Sequence, residues 1–151
     1  MESKEKPSES ILGHALSPLT YGMVVKERNF RKLFLDKTIP FPYPRGKNFL
    51  MIYAVESKLT RITNYPIDGK EIWKFTILFR VCSPNIVPVI AKILGTSNLV
   101  HTTGICEKRS QILIESYLIP DEKWESAERK RIELQKMPEI QGVLIEKIQL
   151  K

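Results

Sequence analysis

Residues 73–82, WKFTILFRVC, have the alternating pattern of a strand. Every second residue from Trp73 to Val81 is apolar, which is the spacing of a strand that has one face on a core. The next run has helical character and ends at Gly95, a common residue just beyond a helix. Further runs follow in the order strand, strand, charged helix, strand, at residues 98–106, 110–119, 121–137 and 142–150. The order predicts a ferredoxin-like βαββαβ domain, one antiparallel sheet with both helices on one face.

The two predicted helices have recognisable ends and buried faces. If Ser83 were the N-cap of the first helix, Pro88 would lie in its interior and break a hydrogen bond. With Asn85 as the cap, Pro88 lies in the first turn, where its missing N–H costs nothing. We therefore predict a start after Asn85. In the second helix the residues at helical spacing that we expect to be buried are Trp124, Ala127, Leu134 and Met137.

The N-terminal part has mixed signals. Ser17-Pro18 resembles an N-cap followed by proline at the first helical position, and an apolar stripe from Leu19 to Leu33 predicts a helix over 17–33. Gly22 and the β-branched pair at 24–25 oppose a helix, so a strand through residues 22–25 stays an alternative. The continuous apolar run 48–55 predicts a buried strand.

A domain boundary is expected between the apolar run and Trp73. Residues 38–46 contain three prolines and predict a stiff, extended connector. Residues 58–68 alternate weakly and could form a linking strand. We therefore divide the chain into a small N-terminal α/β segment at 1–57 and the ferredoxin-like domain at 58–151, which together make an α+β protein.

The sheet face opposite the two helices carries a mixture of apolar and charged side chains. Leu78, Leu113 and Tyr117 lie there among Lys74, Arg80 and Glu115. Such a face is usually covered by another sheet or by a second subunit. We interpret it as the interface of a homodimer or higher oligomer; the alternative is a set of scattered surface apolar residues.

Composition limits the class of protein. The 151 residues are 42% hydrophobic and 27% charged, as in ordinary globular domains, with a net charge of +7 that is compatible with nucleic acid without indicating it. No apolar run reaches the roughly 20 residues that span a bilayer, and the polar N-terminus is unlike a signal peptide. We therefore expect a cytoplasmic protein without a membrane association.

Residues that carry catalytic or metal chemistry are sparse. The histidines, His14 and His101, have no Cys, Asp or Glu at ligand spacing, and Cys82 and Cys106 are not part of a zinc motif. Phosphate-binding glycine loops and nucleophile elbows are not found. The sequence predicts a protein that is not an enzyme and needs no metal or cofactor.

Short motifs in the second half resemble a known family. The runs LGTSNLVHTTGICEKRSQILIESYLI and MPEIQGVLIEKIQL are similar to the ligand-sensing domain of the leucine-responsive (feast/famine) regulators, which is related to the ACT domains. Thr103-Gly104 match the family's first turn. The residues 137–140 match its second, with Glu139 in place of the usual glycine. Glu107 is the nearest candidate for the acidic residue that follows the first turn.

The resemblance implies a ligand site and a DNA-binding segment. An amino acid or similar effector would bind between subunits near Thr103, Gly104 and Glu107, where a glycine turn exposes N–H groups to a carboxylate. The family's recognition helix often opens Leu-Ser-Pro-x-Thr, as residues 16–20 do here. By this resemblance, double-stranded DNA would be contacted by Ser17, Thr20, Lys26, Arg28, Arg31 and Lys32. The proline-rich connector and the run 48–55 have no counterpart in that motif, so another small accessory fold is the alternative.

Three functions follow as hypotheses. The first is a transcriptional regulator that senses an amino acid through a dimeric ferredoxin-like domain. The second is a stand-alone ACT-like binding module that regulates an enzyme and does not touch DNA. The third is a small enzyme on the same scaffold, since this fold hosts many chemistries.

Overall fold

The computed structural model describes residues 18–34, 46–55, 58–69 and 71–150, in which two antiparallel sheets and their helices form an α+β protein. No helix in these ranges has the length and apolar character to cross a membrane. The elements, in chain order, are β1 (Thr20–Lys26), α1 (Glu27–Phe34), β2 (Asn48–Val55), β3 (Thr60–Ile67), β4 (Glu71–Phe79), α2 (Ile86–Leu94), β5 (Leu99–Thr102), β6 (Cys106–Lys108), β7 (Gln111–Leu118), α3 (Ala127–Gln135) and β8 (Ile140–Gln149).

The larger sheet is formed by the second half of the chain. Its strands lie in the order β5-β7-β4-β8, all antiparallel, and the short β6 pairs with β7 beyond the end of β5. One face packs against α2 and α3, because the alternate residues Phe75, Ile77 and Phe79 of β4 share a core with Ile90 of α2 and Leu134 of α3. The face of β4 that the sequence predicts to be buried is therefore the face that packs against the helices.

The smaller sheet consists of β1, β2 and β3 in that order, again antiparallel. The strand β2 is apolar on both faces, so it reads as a continuous apolar run, and the predicted buried strand at 48–55 is confirmed. Phe49 and Met51 point to the outer side, where the ring of Phe30 from α1 stacks on Phe49 with centroids 4.1 Å apart. Leu50 and Ile52 point to the inner side.

The two sheets pack face to face. Val24, Leu50 and Ile52 of the smaller sheet share a core with Tyr117 and Ile148 of the larger one. The molecule thus has four layers: α1, the smaller sheet, the larger sheet, and the pair α2 and α3. The N-terminal sheet covers part of the open face that sequence alone assigns to a second subunit.

The predicted helix over 17–33 is wrong for most of its length. Residues 20–26 form the strand β1, as in the alternative through residues 22–25, and only Glu27–Phe34 is helical. The physical reason is pairing: β1 bonds to β2 along seven residues, which satisfies its backbone and buries Val24 and Val25 on opposite faces. Ser17, the predicted cap, lies outside the described residues.

The first helix of the second half has its predicted ends, and the second is shorter than predicted. Asn85 precedes α2, and Gly95 follows it at φ 89°, so both predicted ends are confirmed. The charged run 121–137 becomes helical only at Ala127, because the Ser126 hydroxyl accepts a hydrogen bond from the Arg129 N–H and caps α3. Residues 121–124 form a turn instead.

The side chains chosen for a subunit interface are buried within one chain. Leu78, Leu113 and Tyr117 are 1%, 1% and 0% exposed. These three side chains therefore have no exposed surface with which to form the predicted interface, and the homodimer or higher oligomer itself stays a prediction. The strand β3, placed in the second domain by sequence, pairs with β2 over eight residues, while the independence of the two predicted domains stays a prediction.

Candidate functional site

A cavity of about 490 Å³ lies between the smaller sheet and the β5–β6 edge of the larger sheet. Its apolar wall belongs mainly to the N-terminal part and consists of Leu19, Ile52, Ala54 and Val55. Its polar wall includes groups of both charge signs and several hydroxyls: Thr20, Arg61, Thr63, His101, Thr102, Thr103, Glu107 and Lys108. The size is within the roughly 300–1,000 Å³ that is usual for small-molecule pockets.

The Thr103-Gly104 turn is a structural feature beside this cavity. The Thr103 N–H donates to the Glu115 carbonyl at 3.0 Å, and the Thr103 hydroxyl accepts from the Glu115 N–H at 3.1 Å and donates to the Gly104 carbonyl at 2.8 Å. The Glu115 N–H therefore bonds to a side-chain hydroxyl in place of a backbone carbonyl, at the point between β5 and β6 where the regular pairing with β7 is broken. Thr103 still lines the cavity, but its hydroxyl proton is already used within the turn.

Gly104 is required by its backbone angle. Its φ is 75°, a region that side chains with a Cβ rarely adopt, and a Cβ placed there would meet no atom within 4 Å. The Gly104 N–H lies 3.4 Å from the Thr102 hydroxyl, and Gly104 is not among the cavity-lining residues. The geometry therefore gives this glycine a conformational role.

Glu107 and Lys108 supply opposite charges to the cavity wall. Glu107 is exposed on β6, and its carboxylate makes no hydrogen bond or ion pair within the described part of the chain. The Lys108 ammonium group donates to the Pro18 carbonyl at 2.9 Å. Glu107 is therefore the predicted ligand residue whose functional group remains available to a bound molecule.

A buried polar network forms the base of the site. The Glu115 carboxylate, 0% exposed, accepts hydrogen bonds from the Leu19 and Thr20 N–H groups, both at 2.9 Å, and from the Thr20 hydroxyl. The Lys74 ammonium group lies 3.2 Å from Glu115 Oε1 and donates to the Thr20 carbonyl at 2.6 Å. Thus one ion pair from the larger sheet satisfies the backbone of the strand that enters the smaller sheet.

Tyr117 and His101 extend this network toward the cavity. The Tyr117 hydroxyl is 2.8 Å from the Thr20 hydroxyl, and burial raises the pKa of Tyr117 well above its ordinary value. His101 Nδ1 is 2.7 Å from the Tyr65 hydroxyl, which belongs to β3 of the opposite sheet. Desolvation lowers the pKa of the half-buried His101, so the neutral imidazole is favoured.

The predicted DNA-binding residues are divided between two elements and do not form one face of a helix. Thr20 is buried in the network just described, where it cannot contact DNA. Lys26 is the last residue of β1. The other three basic residues are exposed and lie on α1: Arg28, Arg31 and Lys32. The Arg31 guanidinium pairs with Glu27 at 3.3 Å, one helical turn away.

The sequence did not predict that both sheets line the cavity. Lys74 and Glu115 could have been found as a pair, because they carry opposite charges on the same face of two predicted neighbouring strands. Arg61 and Thr63 gave no such signal, since they lie in a weakly alternating run that nothing in the sequence assigns to the cavity.

Comparison with known proteins gives no relative. No protein-family model, no curated protein and no solved structure matches the chain. The function has to be argued from the geometry of the site.

Proposed function

We propose that the protein is a small-molecule-binding module of the ACT-like type whose effector is an amino acid or a similar compound. The fold assignment within this proposal is ferredoxin-like, and the strand order β8-β4-β7-β5 with a helix after the first and third strands of the βαββαβ unit supports it. The resemblance of the Thr103-Gly104 turn to the feast/famine sensing domains supports the same proposal.

The cavity between the two sheets is the observation that carries the proposal. One wall is apolar, and the other has an acidic group at Glu107 and basic groups at Arg61 and Lys108. A zwitterion with an apolar side chain matches this distribution, with its ammonium group at Glu107. The effector site differs from one between subunits, because both walls belong to one chain.

Cytoplasmic location is part of the proposal. Both cysteines are unpaired thiols in the structure, Cys82 and Cys106, as is usual in a reducing compartment. Regulation of an enzyme by direct contact, without DNA, is the simplest use of such a module.

A thermal-shift screen of the twenty amino acids tests the proposal. At 100 times the dissociation constant, a ligand should add about 2.7 kcal/mol to the free energy of unfolding. Without ligand, Glu107→Gln should leave the unfolding midpoint unchanged, because the carboxylate is exposed. The variant should bind the stabilising amino acid about tenfold or more weakly, because a charge-assisted hydrogen bond is lost. Glu122→Gln, an exposed change away from the cavity, is the matched control.

Two results would contradict the proposal. The first is that no amino acid raises the wild-type midpoint at millimolar concentration. The second is that an amino acid raises the wild-type midpoint and raises the midpoints of Glu107→Gln and Glu122→Gln by equal amounts.

Regulation of transcription is a second candidate, and the exposed basic residues of α1 favour it. Arg28 and Lys32 face solvent beside Lys26, and such clusters bind phosphate groups. In a titration with a duplex from the protein's own promoter region, changing both Arg28 and Lys32 to Ala should weaken binding and lower the salt slope by about two. The control is a double change at Lys92 and Lys123, exposed lysines of the other half. Binding that is absent at low salt, or equal in the two variants, would exclude this candidate.

A further inference from the structure

His101 lines the proposed site, and the proposed function gives it no role. It lies on β5, lines the cavity, and joins the two sheets through Tyr65 of β3. Its ring also packs between two aromatic rings, with centroids 5.6 Å from Tyr65 and 6.0 Å from Tyr117. These contacts hold the imidazole in one orientation at the cavity wall.

The hydrogen bonding of His101 accommodates two protonation states. The Tyr65 hydroxyl can donate to Nδ1 of a neutral imidazole and can accept from Nδ1–H of a protonated one. The other ring nitrogen takes no hydrogen bond within the described residues. A molecule in the cavity can therefore use that nitrogen without disturbing the contact between the sheets.

The charges around His101 come from four strands, β3, β4, β6 and β7. Arg61 of β3 and Lys108 of β6 are basic, and Glu107 of β6 is acidic. Tyr117 of β7 is neutral, and its ring centroid is 5.6 Å from the Lys74 ammonium group. Lys74 is paired with Glu115, so the charges of these two residues offset one another. No carboxylate within the described residues makes a hydrogen bond or an ion pair with His101, so its charged form has no anionic partner until a ligand provides one.

We propose that His101 receives the acid group of the ligand in this cavity and takes up a proton from solvent as the ligand binds. This inference rests on the proposed function and adds the group that recognises the carboxylate. The ligand is an organic acid or amino acid that is anionic at its carboxylate. The proton binds to the imidazole nitrogen that carries none, and no covalent bond forms or breaks.

The direction of the pH dependence follows from linkage. Burial keeps the pKa of His101 below its ordinary value in the unliganded protein, and a bound carboxylate raises it. Binding then takes up a proton, so affinity increases as the pH falls. One group that takes up one proton allows at most about a tenfold change in affinity per pH unit.

Calorimetric titration of the full chain with three related probes tests this inference. L-leucine carries both charged groups, 4-methylpentanoate lacks the ammonium group, and L-leucinamide lacks the carboxylate; all three have a side chain that suits the apolar wall. Between about pH 7.5 and about pH 6, the range in which histidine titrates, leucine and 4-methylpentanoate should bind severalfold more tightly as the pH falls. Leucinamide should not.

Two variants separate recognition of the ligand from the structural role of the ring. His101→Gln should remove the pH dependence and weaken both carboxylate probes. Tyr65→Phe removes the hydrogen bond to Nδ1 but keeps the imidazole, so it should keep the pH dependence. His101→Asn serves as a second test if the glutamine variant has a lowered unfolding midpoint.

The outcomes distinguish the inference from the function on which it rests. Carboxylate probes whose binding has the same pH dependence in wild type and His101→Gln would overturn the role of His101 alone. An equal pH dependence for leucinamide would do the same. If none of the three probes binds at millimolar concentration, both the inference and the proposed site fail.

Discussion

Glu115 is the residue on which the contact between the two sheets depends most. It is 0% exposed, and its carboxylate is surrounded by the Lys74 ammonium group, two backbone N–H groups and the Thr20 hydroxyl. A buried carboxylate is stable only when each oxygen has such partners, because desolvation of an isolated charge is far more costly. The network therefore fixes the position of Leu19 and Thr20, which also form part of the cavity wall.

Glu115→Gln should destabilise the protein by about 3–5 kcal/mol, because the buried Lys74 charge loses its partner and an amide N–H₂ faces a backbone N–H. Urea denaturation measures the change. Glu128→Gln is the matched control, since Glu128 also pairs with a basic residue, Arg131, but at the surface, where the loss should be small. Equal effects of the two changes would show that the network does not hold the sheets together.

His101 should make stability depend on pH in the absence of ligand. Its pKa is lowered by burial in the folded protein, while the unfolded chain has the ordinary value of about 6.5. Below that value the unfolded state binds more protons, so the free energy of unfolding falls as the pH falls from about 7.5 to about 5.5. The comparison uses His14→Gln, in which His101 is the remaining histidine, against the double change His14→Gln and His101→Gln. The decrease should be smaller in the double variant; an equal or larger decrease would contradict the assignment.

The strand β1 shows how an element is decided by distant partners. Its inner face carries Thr20, Gly22 and Val24, and each contacts the larger sheet: Thr20 through Glu115, and Val24 through the shared apolar core. Gly22 permits the closest approach, because a Cβ there would lie 2.5 Å from Tyr117 Cε1 and 2.7 Å from Ile148 Cδ1. The glycine that weakens a helix is thus a requirement of sheet packing.

Gly22→Ala should cost about 1–3 kcal/mol, because the added methyl group forces the two sheets apart or displaces the Tyr117 ring. The free energy of unfolding from urea denaturation is the measurement. Gly69→Ala is the control, since the nearest atom to its added Cβ is 3.5 Å away, an ordinary contact. If the two glycine-to-alanine changes lowered the free energy of unfolding equally, the close approach of the sheets would be contradicted.

Elements with a local signal were predictable, and those with a long-range cause were not. The alternation in β4, Asn85 and Gly95 around α2, and the apolar run of β2 are all local features. By contrast, the sequence from Leu19 onward has a helix-like stripe, yet Thr20–Lys26 form a strand. They do so because β2 pairs with them and because Glu115, 95 residues away from Thr20, bonds to the backbone at the start of β1.

At the scale of the whole molecule, the four layers create the cavity. The N-terminal sheet covers the open face of the larger sheet, and the space that remains at the β5–β6 edge is enclosed by both. Sequence indicated Thr103 and the acid at Glu107, which lie on the wall that the larger sheet forms. It could not indicate the other wall, since Leu19, Ile52 and Thr63 reach the site only through the packing of the two sheets.

Amide NMR of the full chain during titration with the twenty amino acids tests the central claim most directly. The cavity account predicts that an amino acid which binds at millimolar concentration shifts signals on both sheets together: Thr20, Ile52 and Thr63 on one, Thr102 and Glu107 on the other. Shifts confined to one sheet, shifts at a surface remote from these residues, or no shift with any amino acid would contradict a small-molecule site between the two sheets.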